Sequence, residues 1–354
     1  MCWGAVYPCA PERSTGATAR RMGKRRTVAI SLTLLVIAGA VALFSALPTR
    51  PTGSVTASAD TPRDAAQMPL SAQSPNVTYG YPSGYVATAM SFTREELLAG
   101  KLLVVDREHS LPEDAPAPNT HSISASGNGA IAVRDASVQS SREAIRAMFG
   151  LFYAAKQSGM KGLVVWDGTR SASEQRLRQL ERVNAYGMTL SLAEAARKAE
   201  SEVENPEETE MLLAGSMLIR VYDTWNGALD TQPLRMSEAG RYVLKNAWKY
   251  GIVQRYPCED AQGERQYQFR YVGEAHAAAM EELQLDMDGY LQLLHTRRSI
   301  TIKKDGRPQY YLACKPFFGN AASFELPDQA VIEASLDNLG YAVVACTLYD
   351  DADY

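Results

Sequence analysis

Histidine is scarce in this chain: four among 354 residues, at His109, His121, His276 and His295. Metal chemistry that relies on imidazole therefore has few ligands to draw on. A strong charge of one sign is also missing. The net charge is −4 and no long basic block follows residue 26, which argues against an extended nucleic-acid groove. Hydrophobic residues at 46% and charged residues at 21% exclude a mainly disordered chain. Cysteine use decides little. Cys2 and Cys9 precede a long apolar run and Cys258, Cys314 and Cys346 follow it, an odd number that leaves a Cys314–Cys346 pair open.

The apolar run, residues 27–47, carries no charge and no proline over 21 residues. At about 1.5 Å rise per residue it spans the ~30 Å hydrocarbon core. Before it stand Arg13, Arg20, Arg21, Lys24, Arg25 and Arg26 against Glu12. That excess of +5 predicts a cytoplasmic tail over 1–26 and an outward-facing C-terminal side. A cleavable signal peptide is the rival reading. Its apolar core is usually ~7–15 residues long, and the small-x-small site Ala57-Ser58-Ala59 lies well past the run. A retained membrane helix fits better. Residues 48–80, rich in Pro, Ser, Thr, Ala and Gly, read as a solvated linker.

Beyond the linker, helix and strand patterns mix. Residues 92–100 read as a short helix and 102–106 as a short apolar run. In 141–158, Ile145, Met148, Phe149, Phe152 and Ala155 define one helical face, closed by Gly159. Residues 162–166 read as a buried strand, 173–186 as a helix, and Ser191 with Glu194 as a capping box for the next one. The acidic piece 200–210 reads as a solvated helix end and turn. Residues 212–222 suggest a strand, 237–250 a helix, 252–253 and 269–272 strands, and 276–280 and 287–294 the last helices. From Ser299 the pattern alternates, with a hairpin signal at Asp305-Gly306. The reading is a core domain over 81–298 and a small β module over 299–354.

Four blocks carry chemistry: LVVDREHSLPED (103–114), GTRSASEQ (168–175), NAWKYGIVQRYP (246–257) and FRYVGEAHAAAM (269–280), the last followed by YLQLL (290–294). In this order and over about residues 97–295 they resemble the VanY-type D-alanyl-D-alanine carboxypeptidases. The resemblance implies an α+β, VanY/hedgehog-like zinc peptidase core that trims the terminal D-alanine from peptidoglycan stem peptides. It implies a zinc His and Asp in one His-x6-Asp stretch, then a general-base Glu and a further zinc His before Phe-Arg-Tyr-Val-Gly.

This chain departs from that pattern. Residues 220–230 match the first stretch, so Asp230 keeps the ligand Asp while Asp223 stands at the His. Residues 265–273 match the second, so Gln268 replaces the other His and Arg265 the general base. Two carboxylates and an amide are closer to a calcium or magnesium set than to zinc. A guanidinium cannot accept a proton from water. Arg265 is a candidate ion-pair partner for Asp223 or Asp230. The four histidines fall outside the ligand positions. Trp225, inside the old ligand stretch, is read as a plug, with stacking on a sugar as the alternative.

Arg170, Ser171 and Gln175 match the family's substrate-side motif, where an Arg meets the peptide carboxylate. Arg270 is retained as a substrate-binding candidate or as a brace of the fold. The sequence thus predicts a membrane-anchored, carboxypeptidase-like protein without catalytic residues and without a cofactor. Its expected partner is a peptidoglycan stem peptide or a cell-wall protein at the outer membrane surface, with no nucleic acid. Two alternatives stay open: an active D-Ala-D-Ala metallocarboxypeptidase with an atypical metal site, which alone requires zinc, and a structural interaction module.

Overall fold

Two antiparallel sheets organise the chain, and each draws its strands from where the sequence alternates or runs apolar. The computed structural model describes residues 74–126, 129–223, 227–257, 264–328 and 330–349. The tail 1–26, the apolar run 27–47, nearly all of the 48–80 linker, Trp225 and Cys258 lie outside the described residues. Among the described residues no helix is long and apolar enough to cross a membrane.

The strands are β1 (Val77–Tyr79), β2 (Ala87–Thr93), β3 (His121–Ser122), β4 (Gln139–Ser140), β5 (Leu163–Asp167), β6 (Ser216–Asp223), β7 (Ala228–Leu229), β8 (Ile252–Gln254), β9 (Gln268–Tyr271), β10 (Ser299–Lys304), β11 (Arg307–Pro316), β12 (Ala321–Pro327), β13 (Ala330–Leu336) and β14 (Tyr341–Leu348). The helices are α1 (Arg94–Leu98), α2 (Ile123–Ser126), α3 (Arg142–Gln157), α4 (Ala172–Gly187), α5 (Leu192–Glu202), α6 (Glu238–Asn246), α7 (Glu274–Leu283) and α8 (Met287–Arg297). The chain is therefore α+β.

The first sheet runs β5-β6-β9-β8, with β7 paired to β6. Helix α3 covers it with Ile145, Met148, Leu151, Phe152 and Ala155. Each large apolar side chain buried there stabilises the core by about 1.5–3 kcal/mol. Ser141 starts the helix by accepting from the Ala144 amide at 3.2 Å. Phe149, expected on the buried face, instead lies half-exposed and stacks on Tyr153, one turn further on. Leu151 is buried in its place.

The second sheet runs β1-β10-β11-β14-β13 and is buried on both faces. Tyr310, Leu312 and Cys314 point to one face, where α7 and α8 bring Leu283, Tyr290, Leu291 and Leu294. Tyr311 and Ala313 point to the other, against the β2–β12 pair and α1 through Phe324, Leu326, Leu97 and Leu98. Asp305 and Gly306, at φ of 53° and 81°, form the β10–β11 hairpin turn.

This corrects the expected boundaries. Val77–Tyr79, placed in the linker, is an edge strand against Ile300–Ile302. Residues 87–93, placed in the core domain, pair with β12. The β module is no appendage, because its sheet supplies half of the core that α7 and α8 need. Cys314 and Cys346 are free thiols. Strand register sets Cys314 opposite Val343 and Cys346 opposite Tyr311, an odd offset that turns them to opposite faces. Burial raises the Cys314 thiol to about 11 and the Cys346 thiol to about 12.

Truncation after residue 298 is expected to give insoluble protein, because α7 and α8 lose the sheet beneath them; a soluble, cooperatively unfolding fragment would contradict the shared core. His276 offers a pH test. It is buried with Nδ1 2.7 Å from the Tyr290 hydroxyl, and burial lowers its pKa from 6.5 to about 3. The unfolded imidazole protonates first. Its stabilising contribution is therefore complete above pH 6.5 and is lost as pH falls towards 3, by up to roughly 1.4 kcal/mol per pH unit. His276→Gln should flatten the urea-unfolding free energy between pH 6.5 and 4, and an unchanged slope would count against this account.

Candidate functional site

Strand β5 ends at Asp167, and a four-residue loop carries Arg170 into the start of α4. Gly168 passes so close to the Gln139 carbonyl that no side chain fits there, and the Thr169 amide then donates to the same carbonyl at 2.8 Å. Ser171 caps α4: its hydroxyl accepts from the Glu174 amide at 3.2 Å and donates to the Glu174 carboxylate at 2.8 Å. That reciprocal box fixes the turn that aims Arg170 inward.

Arg170 is only 4% exposed, and each of its three guanidinium nitrogens is hydrogen-bonded. Nε and Nη2 reach Asp167 at 3.0 and 2.9 Å, Nη1 donates to Gln175 Oε1 at 2.9 Å, and Nη2 also meets Glu264 Oε2 at 2.7 Å. Burial alone would pull the Arg170 pKa down, yet the Glu264 and Asp167 charges carry it above its ordinary value. Arg178, from α4, bridges Asp167 and Glu264 as well, its Nη1 lying 3.2 Å from Glu264 Oε1. Gln175 passes the network on by donating to the Glu204 carbonyl at 2.8 Å.

Glu204 connects this cluster to the position assigned to the general base. Its carboxylate accepts from Arg265 Nε at 3.1 Å and also from Nη2. Arg265 therefore pairs with Glu204, where the sequence suggested Asp223 or Asp230. Arg265 further stacks over Tyr256, 5.0 Å from the ring centre, with Arg255 at 4.7 Å on the same ring. Burial and the Glu210 charge push the Tyr256 phenol well up.

A second ionic cluster lies deeper. Glu210, fully buried, sits between Arg255 Nε at 2.8 Å and Arg270 Nη1 at 3.2 Å. The Arg270 contact has the distance of an ion pair without hydrogen-bond alignment, so Glu210 Oε2 is left without a hydrogen bond. Arg270 also donates to the Leu103 and Lys101 carbonyls. Burial lowers the Arg270 pKa. Of the two roles considered for Arg270, its partners are those of a brace. The acidic piece 200–210, expected to be solvated, supplies both Glu204 and Glu210. The arginines that neutralise them lie 45 to 61 residues further along the chain, so no local sequence signal marked them.

The former ligand positions lie nearby in the first sheet. Asp223 ends β6 and Asp230 follows β7, its backbone amide on the Val221 carbonyl at 2.8 Å and its carboxylate on the Gln232 amide at 2.9 Å. Gln268 opens β9 opposite Leu218, buried, with Nε2 lacking any hydrogen-bond partner. The zinc that the resemblance implies does not fit these donors. None of the three supplies an imidazole or a thiolate, and the Asp230 carboxylate already accepts from the Gln232 amide at 2.9 Å. Among the described residues, no group of three or more His, Cys, Asp or Glu is arranged to hold a metal ion.

No model of a known family matches the chain. A D-alanyl-D-alanine carboxypeptidase of Enterococcus faecium is 22% identical over 263 residues, covering 72% of this chain and 77% of that protein. The chain is thus similar to D-alanyl-D-alanine carboxypeptidases, the likeness its sequence blocks suggested. The putative carboxypeptidase YodJ of Bacillus subtilis (strain 168) is 28% identical over 156 residues, 43% of this chain and 53% of that protein. The fold is shared with the vancomycin resistance D,D-dipeptidase VanXYg, solved with a D-Ala-D-Ala phosphinate analog: TM-score 0.58, 18% identity, 74% of this chain and 99% of that one. Within this VanY-type fold, Arg170, Gln175 and Arg265 join one network, while Arg270 belongs to the deeper cluster.

Both clusters predict stability effects. Removing one partner strands a buried charge, so Glu210→Ala and Arg170→Ala should each destabilise the chain by about 3–5 kcal/mol. Urea unfolding measures this, and losses under 1 kcal/mol would show that neither ion is held as described.

Proposed function

We propose that this chain is a cell-envelope protein, anchored by residues 27–47 with its folded part outside, that binds peptidoglycan stem peptides without cleaving them. The observation that carries the reading is Arg265. At the position assigned to the general base stands a guanidinium, held by Glu204, that cannot take a proton from an attacking water. The lack of nitrogen or sulfur donors at 223, 230 and 268 supports the same conclusion.

Recognition survives because its parts are of a different kind. Arg170 and Gln175 keep the arrangement that suits a planar carboxylate, and a buried, ion-paired guanidinium stays charged at every physiological pH. The relatives' printed activities concern D-alanyl-D-alanine substrates, so the ligand class is a peptide ending in D-Ala-D-Ala.

The purified full-length chain should bind an acetyl-Lys-D-Ala-D-Ala peptide in calorimetry, release no D-alanine, and contain less than ~0.1 zinc per chain. Release of D-alanine that chelators abolish would overturn the non-catalytic reading in favour of an active metallopeptidase. Absence of peptide binding would leave only a structural interaction module.

A further inference from the structure

Glu264 holds a place in the Arg170 cluster that differs from every other place there. Asp167 and Gln175 are buried beside Arg170 and accept from three of its N–H donors. The Glu264 side chain is 50% exposed. Its two oxygens go to two different guanidiniums, Oε2 to Arg170 Nη2 at 2.7 Å and Oε1 to Arg178 Nη1 at 3.2 Å. A carboxylate that approaches from the solvent side and straddles two guanidiniums is held as a free carboxylate would be held.

The charges agree. Arg134, a third guanidinium 3.8 Å from Asp167, has its own partner in Asp135 at 2.6 Å. That leaves Arg170 and Arg178 against Asp167 and Glu264. With Glu264 withdrawn, two cations face one buried carboxylate, and the solvent side of the cluster becomes an anion site. Arg170 could not supply this alone, because three of its donor directions are taken by Asp167 and Gln175. Arg178, two helical turns along from Arg170 and 30% exposed, provides the second donor.

We propose that Glu264 is an internal occupant of the ligand's carboxylate subsite, that Arg178 is a binding residue of that subsite alongside Arg170, and that a stem peptide binds by displacing Glu264 with its terminal carboxylate. This rests on the stem-peptide reading above. A tethered carboxylate competes at high effective concentration, so it lowers the apparent affinity by the fraction of time it occupies the subsite. The device selects for a ligand that brings a full negative charge. A peptide ending in an amide cannot replace the charge it would displace.

The test compares full-length chains in calorimetry with acetyl-Lys-D-Ala-D-Ala and with its C-terminal amide. Glu264→Gln should tighten binding of the acid peptide about tenfold and leave the amide unimproved, and adding Arg178→Gln should remove the gain. Glu264→Ser serves the same purpose if Glu264→Gln fails to fold. Binding by the unaltered chain that neither Glu264 variant tightens would overturn the internal-occupant proposal while the stem-peptide reading stands. An equal gain for the amide would overturn it too, since the effect would not depend on the carboxylate. No binding of the acid peptide by any of these chains would overturn both.

Discussion

One buried carboxylate holds the two halves of this protein in register. Glu210 lies on a 3-10 turn between α5 and β6, and its partners come from the end of β8 and the middle of β9. Arg255 continues to Asp288 at the start of α8, at 3.0 Å, and Arg270 to the carbonyls of Lys101 and Leu103. A charge with no access to water has to be met by fixed partners, because its desolvation costs several kcal/mol. The connections that satisfy Glu210 therefore tie the first sheet to the loop and the helix that rest on the second. The more exposed Arg170 cluster is built on this frame through the Arg170 amide, which donates to the Met211 carbonyl at 2.7 Å, one residue past Glu210.

On the proposed non-catalytic reading, the network around Arg170 separates two tasks that a peptidase site normally combines. At the positions that the sequence alignment matched to a proton acceptor and a metal ligand stand a guanidinium paired with Glu204 and an amide whose Nε2 has no hydrogen bond among the described residues. Around the proposed carboxylate subsite, Arg170 is bonded to Gln175, and Arg178 reaches Glu264 beside it. The positive charge of Arg265 is met by the Glu204 carboxylate.

Much of the fold was legible because its signals are local. The Ser191–Glu194 capping box, the apolar spacing of α3 and the Asp305-Gly306 turn each announce an element within a few residues. The domain boundary was not legible. Val77–Tyr79 is short and joins a partner more than 220 residues away, and nothing in three residues states that pairing. In the site, Arg170, Ser171 and Gln175 could be read as a motif, whereas Glu204, Glu210 and Glu264 looked like ordinary surface acids until the fold brought arginines to them. The run 102–105 shows the same limit. It is as apolar as a strand, yet it is buried as a loop whose Val104 amide donates to the Asp337 carbonyl at 2.9 Å.

The position of β14 has a consequence for how the chain comes to be folded. It is the last strand among the described residues, yet it lies inside the second sheet, hydrogen-bonded to β11 on one side and β13 on the other. Until it has been synthesised, β11 has an open edge, and the apolar faces of α7 and α8 rest on an incomplete sheet. Pairings that span so much of the chain close slowly, and unpaired edges invite contact with other chains. Assembly of the second sheet therefore waits for β14, and the chain is most vulnerable to aggregation in the interval before that strand joins β11 and β13.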